Sequence, residues 1–154
     1  MNNKKSVILG ILIIIVVCLI TTGCMFYNLL DKQGFKQHFG ALGYTISETE
    51  EAKYESKSYV VASKSDVPFK IEHYEFEKEV DAKKIYKKFK DTIADYITSD
   101  TQNLETTGAV FAKIVAKGEK DYIIISRVKN TIIFIDATAE YQNEIDKLLT
   151  DIKY

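Results

Sequence analysis

The fold is set by the sequence Tyr122-Ile-Ile-Ile-Ser-Arg-Val-Lys-Asn-Thr-Ile-Ile-Phe-Ile135. Its two apolar segments, Tyr122 to Val128 and Thr131 to Ile135, predict strands that are joined by Lys129-Asn130. Asparagine tolerates the positive φ that such two-residue turns need. A helix is expected next, from Ala139 to about Ile152, with its apolar residues on one side. The stretch therefore predicts a strand–turn–strand–helix unit.

The same order occurs earlier in the chain. Ser58 to Ser63 predicts a strand, Ser65 to Pro68 predicts a turn, and Phe69 begins a second strand. A helix follows from about Asp81 to Ile97, because apolar residues recur there at helical spacing. Its apolar stripe comprises Ala82, Ile85, Phe89, Ile93 and either Tyr96 or Ile97. The recurrence suggests a repeated ββα unit, although residue identity between the halves is low.

The strand that begins at Phe69 changes its apolar face part of the way along. Phe69 and Ile71 fall on one face by their two-residue period, whereas Tyr74 and Phe76 have the opposite parity. A β-bulge near Glu72-His73 would return these side chains to a single buried face. Without a bulge, both faces of the strand are partly covered. The sequence leaves both alternatives open.

The remaining segments complete one α+β domain. A short helix is expected from Asp31 to Leu42, a short strand at Tyr44 to Ile46, and another strand from Ala109 to Ala116. Glu48 to Lys57 is interpreted as a polar loop, and the polar stretch from Thr98 to Thr107 is expected to end the long helix. The simplest architecture is a two-layer sandwich: one antiparallel sheet of five or six strands with helices on one face.

Residues 1–30 predict a membrane signal. Lys4 and Lys5 precede an apolar run from Val7 to Ile20, and small residues follow, as in a secretory signal. Thr21-Thr22-Gly23-Cys24 resembles a bacterial lipobox, although Thr21 stands where leucine is usual. In that interpretation a peptidase cuts before Cys24, which then receives lipid.

The alternative for residues 1–30 is an uncleaved transmembrane helix. Apolar character continues to Leu30, so a helix from Val7 would be about 36 Å long and could cross a hydrocarbon core of about 30 Å. Lys4 and Lys5 keep the N-terminus in the cytoplasm in either case. Both alternatives therefore predict that the domain formed by residues 31–154 lies outside the cell membrane.

Composition excludes several classes of protein. Without Lys4 and Lys5, the formal net charge of −1 becomes −3, which gives no electrostatic case for binding nucleic acid. Both cysteines, Cys18 and Cys24, belong to the predicted signal, so residues 31–154 contain neither a disulfide nor a cysteine metal site. No glycine-rich phosphate loop or other cofactor motif is present, and no cofactor is expected.

Three short stretches carry a resemblance to a known group of proteins. They are Phe39-x-x-Leu42-Gly43-Tyr44, Ser126-Arg-Val-Lys-Asn-Thr-Ile-Ile133 and the closing Ile152-Lys153-Tyr154. The chain resembles a group of small anchored proteins or lipoproteins of clostridia-like, low-GC Gram-positive bacteria. The resemblance implies an anchored α+β domain outside the membrane. It implies no catalytic residues.

A few polar residues are weak candidates for a ligand site: Arg127 and Asn130 beside the turn, and His73 in the earlier strand. The planar guanidinium of Arg127 suits an anionic group, but the favoured interpretation is that Asn130 serves the turn and Arg127 pairs with a surface acid. His73 is one of two histidines, and no short spacing of zinc ligands surrounds it. Glu72 and its acidic neighbours are interpreted as ion-paired or solvated. No catalytic residue and no metal site are predicted.

The sequence thus predicts an anchored extracytoplasmic domain without a reactive constellation of side chains. A non-enzymatic protein that binds a protein or another component of the cell envelope is the leading hypothesis, with membrane lipid as the partner of its anchor. The alternative is a small cell-envelope hydrolase or transferase. The oligomeric state is not predicted.

Overall fold

The structure is a computed structural model that describes residues 29–49, 53–94 and 102–154. The predicted anchor, including Cys24, lies outside these ranges except for Leu29 and Leu30. No helix within the described ranges is long and apolar enough to cross a membrane.

The described part of the chain forms three α-helices and seven strands. In chain order the elements are α1 (Lys32–Ala41), β1 (Thr45–Thr49), a 3₁₀ helix (Lys53–Glu55), β2 (Ser58–Ser63), β3 (Lys70–Glu75), α2 (Glu79–Ala94), β4 (Gln102–Thr107), β5 (Phe111–Lys117), β6 (Asp121–Val128), β7 (Thr131–Thr138), a second 3₁₀ helix (Ala139–Tyr141) and α3 (Gln142–Asp151). The strands make one sheet in the order β1-β2-β3-β7-β6-β5-β4. Every neighbouring pair is antiparallel, which confirms the α+β class.

The described sheet has more strands than the five or six predicted, because the polar stretch before Thr107 forms β4. This edge strand pairs with β5 from Gln102↔Lys117 to Thr107↔Ala112. All six of its side chains are exposed. Backbone hydrogen bonds with β5 and the ion pair of Glu105 with Lys90 of α2 hold it in place. Because neither of its faces is buried, no alternation of apolar and polar residues indicates it in the sequence.

The prediction that the helices share one face is wrong. On one face of the sheet, called the α1–α3 face, Phe35 and Phe39 of α1 and Ile145 and Leu149 of α3 pack in a single core. On the opposite face, called the α2 face, α2 packs in a second core with residues of β3, β5, β6 and β7. The sheet is therefore the middle of three layers, because apolar residues on both of its faces need cover.

The change of parity in β3 has the same cause. β3 keeps an unbroken register with both neighbours, from Ser58↔Glu75 to Ser63↔Lys70 and from Lys70↔Asp136 to Glu75↔Thr131, so it contains no bulge. Ile71 belongs to the core of the α1–α3 face, and Tyr74 belongs to that of the α2 face. The alternative in which both faces are covered is confirmed.

The strand–turn–strand–helix order does occur twice, as β2-β3-α2 and β6-β7-α3. The two helices, however, pack on opposite faces. A two-fold axis that exchanges the neighbouring antiparallel strands β3 and β7 runs through the sheet and would leave both helices on the same face. The two units are therefore similar in order but are not related by symmetry.

Candidate functional site

His73 is fully buried on the α1–α3 face. Its Nε2 donates a hydrogen bond to the carbonyl oxygen of Leu30 at 2.7 Å, and its ring stacks on Phe35 with centroids 4.9 Å apart. Its Nδ1 is buried without a hydrogen-bond partner among the described residues. Burial lowers the pKa of His73 to about 4, so the ring is neutral at physiological pH. No surface is left on which His73 could meet a ligand.

Arg127 lies on the α2 face and is 3% exposed. Its Nη1 donates to the carbonyl oxygens of Lys129 at 3.0 Å and Val110 at 3.4 Å, and it lies 3.4 Å from Oε1 of Glu79. Glu79 begins α2. The guanidinium therefore holds the start of α2 against two loops, and the acid partner considered in the sequence interpretation is Glu79.

Asn130 extends the pairing of β3 and β7 beyond the last ladder residues. Its side-chain Nδ2 donates to the carbonyl of Phe76 at 2.7 Å, and its own carbonyl accepts from the N–H of Phe76 at 2.9 Å. The positive φ of the turn, 51°, is adopted by Lys129 rather than by the asparagine. His73, Arg127 and Asn130 thus lie in three separate structural contacts and do not form one site.

A cavity lies elsewhere in the described part of the chain, between the C-terminal half of α2, the first 3₁₀ helix and the sheet. Its volume is about 410 Å³. It is called the α2-face pocket here, and the lining side chains used below are Lys53, Tyr54, Glu72, Tyr74, Phe89 and Asp136. Asp121, Thr92, Ile123 and Phe134 also line it. None of the three residues proposed from the sequence belongs to this pocket.

Glu72 organises the polar part of the α2-face pocket. Its Oε2 accepts hydrogen bonds from the ammonium of Lys53 at 3.0 Å and from the hydroxyl of Tyr59 at 3.0 Å. The hydroxyl of Tyr74 donates to the same oxygen. Three donors therefore fix one carboxylate oxygen, and ionised acceptors make such bonds stronger than neutral ones. The negative charge of Glu72 in turn adds to burial in raising the pKa values of Tyr59 and Tyr74.

Aromatic rings form the walls of the pocket. Tyr74 lines the pocket and meets Phe89 with centroids 5.5 Å apart, and Tyr59 stacks on Tyr74 at 4.9 Å without lining the pocket itself. Tyr54 approaches Phe89 edge-on at 5.0 Å, and Phe89 contacts Phe134 at 5.5 Å. These separations lie in the range of favourable ring pairs, so the wall is a continuous packed surface.

Two further carboxylates, Asp121 and Asp136, lie on the same side of β6 and β7 as this wall. Asp136 stays partly exposed in the pocket, yet partial desolvation raises its pKa, and the charges of Asp121 and Glu72 raise it further. Three carboxylates thus stand against one ammonium, Lys53, among the described lining residues. The pocket carries a net negative charge.

The ammonium of Lys53 sits among tyrosine rings. Its Nζ lies 4.7 Å from the centroid of Tyr59, 5.7 Å from Tyr54 and 5.8 Å from Tyr74. Burial lowers the pKa of Lys53, but the hydrogen bond and charge of Glu72 outweigh burial and leave that pKa above its ordinary value. Lys53 is therefore a protonated cation held in an aromatic cage.

The sequence interpretation missed this pocket for physical reasons. Lys53 and Tyr54 belong to a stretch assigned as a polar loop, and Glu72 was assigned to ion pairs or solvent. Glu72 does pair with Lys53, but its side chain is only 20% exposed. The signal that could have located it is the parity change in β3, because a strand buried on both faces encloses its own polar residues.

The described residues contain no group of three histidine, cysteine, aspartate or glutamate side chains arranged to hold a metal ion. Compared with known proteins, the chain matches no family model, no curated protein and no solved structure. The resemblance noted from its short motifs stays a prediction. The geometry of the α2-face pocket therefore carries the functional argument.

Proposed function

We propose that the chain is a membrane-anchored extracytoplasmic binding protein and that the α2-face pocket is its ligand site. One observation carries the proposal: a cavity of about 410 Å³ in which ring faces and carboxylates converge. Ligand pockets are typically concave, largely apolar and furnished with a few fixed polar groups. The location rests on the sequence, since Lys4, Lys5 and the apolar run after them are typical of an anchor with its domain outside.

The chemistry of the lining supports binding rather than catalysis. None of the described lining residues is a serine, cysteine or histidine. Glu72 is held by three donors, which favours its use as a fixed charge over its use as a proton carrier.

A small envelope hydrolase or transferase is the second candidate. Asp136, with its raised pKa, lies near Asp121, and two carboxyl groups in different environments can act as acid and base. Turnover of a captured ligand that disappears in Asp136→Asn, while binding persists, would establish this alternative.

Photo-crosslinking in intact cells tests the pocket. Thr92 is exposed and lines the pocket, whereas Thr150 is exposed on α3, which packs on the opposite face. Each hydroxyl donates to the carbonyl four residues earlier in its helix, so the two positions form a matched pair. A photoreactive residue at position 92 should give a specific adduct that the same residue at position 150 does not give. Equal labelling, or no adduct at either position, contradicts the proposed site.

The intact mass of membrane-extracted protein tests the anchor. A chain that begins at Cys24 and carries diacylglycerol indicates a lipoprotein, and an unmodified chain from Met1 indicates a transmembrane helix. Protease added outside intact cells should digest the domain in both cases. Protection of the domain until the cells are lysed would overturn the proposed location.

A further inference from the structure

We infer that the α2-face pocket selects an organic ammonium group and that the ammonium of Lys53 is an internal occupant, which such a ligand displaces. The inference rests on the proposed function, because it names the ligand class of the same pocket. It is carried by the cage of tyrosine rings and the Glu72 carboxylate around a cation that the chain itself supplies.

The cage has the geometry of a cation site. Ring faces attract a cation whose charge lies within about 6 Å of the ring centroid. Tyr54, Tyr59 and Tyr74 all meet this condition toward Nζ of Lys53, and Glu72 accepts its hydrogen bond at 3.0 Å. A primary ammonium placed there would find the same four partners, and a quaternary ammonium would keep the ring faces and the charge of Glu72 without the hydrogen bond. Lys53 therefore shows which chemistry the cage accepts.

The charge of the pocket exceeds what Lys53 neutralises. Glu72 is paired with Lys53, but Asp121 and Asp136 line the same cavity. Burial raises the pKa of Asp136, and the charges of Asp121 and Glu72 raise it further. A ligand with one or two ammonium groups would relieve this repulsion. An anion would add to it, so the lining discriminates against anionic ligands.

Lys53 is held in a way that allows displacement. Its side chain is 41% exposed, so part of it already faces solvent. The two residues that follow it, Tyr54 and Glu55, adopt φ values of 58° and 60°. Non-glycine residues rarely adopt this left-handed conformation, and such strain is typical of ligand clamps and switch segments. Outward rotation of the Lys53 side chain leaves the three tyrosine rings and Glu72 in place for a ligand.

The test uses the full chain in micelles of an uncharged polyoxyethylene detergent, since a choline-headgroup detergent would itself be a ligand. Choline and butylammonium are each titrated into the protein by calorimetry. Their neutral isosteres, 3,3-dimethylbutan-1-ol for choline and butan-1-ol for butylammonium, are titrated in the same way. Binding of the ammonium probes, without measurable binding of the isosteres, is the expected result. Equal binding of a probe and its isostere overturns the inference, as does no binding of either ammonium at concentrations on the order of 10 mM.

Replacing Lys53, whose ammonium competes with the ligand, should increase the affinity for choline. Lys53→Met should bind choline about three to ten times more tightly, because the cage is no longer occupied. Lys84→Met removes an exposed lysine of α2 that does not line the pocket, and it should bind as the parent chain does. Unchanged or weaker binding by Lys53→Met overturns the role assigned to Lys53.

Removing a carboxylate should have the opposite effect. Glu72→Gln should weaken choline binding about tenfold, because the charge that faces the ammonium is lost. If Glu72→Gln does not fold, Asp136→Asn should still weaken binding severalfold, since its carboxylate is partly exposed and is not bonded to the tyrosines. Choline affinity that survives loss of the carboxylate overturns the inference.

The two proposals fail in different ways. A specific adduct at position 92 together with a preference for neutral or anionic ligands would retain the binding site and reject the ammonium. If no adduct forms at position 92 and no ligand of any class binds, the site itself is rejected.

Discussion

The two faces of the sheet are covered by different numbers of helices. Seven strands about 4.8 Å apart span about 29 Å, whereas a helix is about 10 Å wide. The α1–α3 face uses two helices of 10 residues each. The α2 face has a single helix of 16 residues, about 24 Å long, which lies over β6 and β7. The β3 side of that face is covered by tyrosines and the first 3₁₀ helix.

This difference separates structural roles from binding roles. On the α1–α3 face, polar groups are used internally: His73 holds Leu30, and Tyr154 contacts Thr131 through their hydroxyls. On the α2 face, carboxylates and one ammonium meet at a cavity. The α1–α3 face is thus covered by two helices. The single helix of the α2 face leaves a cavity in which charged groups can meet a ligand.

The largest expected effect comes from truncating matched phenylalanines on the two faces. Phe35→Ala should lower the free energy of unfolding by about 4 kcal/mol, because its fully buried ring leaves a cavity among Phe39 and His73. Phe134→Ala should cost about half as much, because its ring is half-buried beside an existing cavity. Urea unfolding measures both. Equal losses would contradict the contrast between a closed and an open face.

Acid should lower the free energy of unfolding through His73, which is buried on the α1–α3 face. Its folded-state pKa, about 4, lies below the ordinary value of about 6.5, so the unfolded chain takes up the proton first as the pH falls. This contribution to stability is full above about pH 6.5 and is lost toward pH 4, amounting to about 3 kcal/mol.

Unfolding curves from pH 7 to pH 4 measure that loss. His73→Gln can still donate to Leu30 but cannot be protonated in this range, so its stability should fall less steeply with acid. His38→Gln, which removes the other histidine, is the control. Parallel pH curves for the parent chain and His73→Gln would contradict this role of His73.

Arg127→Met should cost about 2 kcal/mol, because the carbonyls of Lys129 and Val110 lose a buried charged donor. Glu79→Gln should cost much less, since that side chain is 38% exposed. A double-mutant cycle by urea unfolding separates the pair from the carbonyl contacts. A cost for Glu79→Gln as large as that for Arg127→Met would show that the ion pair dominates.

The smallest expected effect has the opposite sign. Asp136→Asn should stabilise the chain by a few tenths of a kcal/mol at pH 7, because repulsion from Asp121 and Glu72 is relieved but water screens this exposed group. The gain should vanish as the pH approaches the raised pKa of Asp136, where the parent side chain takes up a proton. If Asp136→Asn instead destabilises the chain at pH 7, the repulsion assigned to the carboxylates of the pocket is contradicted.

Apolar periodicity predicted most of the described elements. The strand from Ser58 to Ser63 has its predicted bounds, and Asp31 and Gly43 flank α1, where Asp31 accepts from the N–H of Gly34 at 2.7 Å. β4 escaped prediction, because its exposed side chains carry no period. The side on which each helix packs could not be read from its own stripe. It depends on which face of the sheet still needs cover.

The candidate site was less accessible to prediction, because it is assembled from segments distant in sequence. Lys53 lies 19 residues before Glu72, and Asp136 lies on β7. Each residue alone is typical of a solvated surface. Only the pairing of β3 with β7 and the tyrosines around Glu72 give these side chains a common environment.

The contact between His73 and Leu30 also bears on how far the pocket lies from the end of the predicted anchor. Leu30 ends the predicted anchor, and its carbonyl is bound by His73, while the hydroxyl of Tyr154 contacts the backbone of Leu30 and the hydroxyl of Thr131. Thr131 begins β7, and Asp136 follows five residues later, about 17 Å along the strand. At physiological ionic strength the screening length is about 8 Å. If the chain leaves a bilayer at Leu30, as its sequence predicts, and β7 stands upright on that bilayer, the pocket would lie about two screening lengths above the headgroups, where its own carboxylates rather than the lipid charge would determine the local potential.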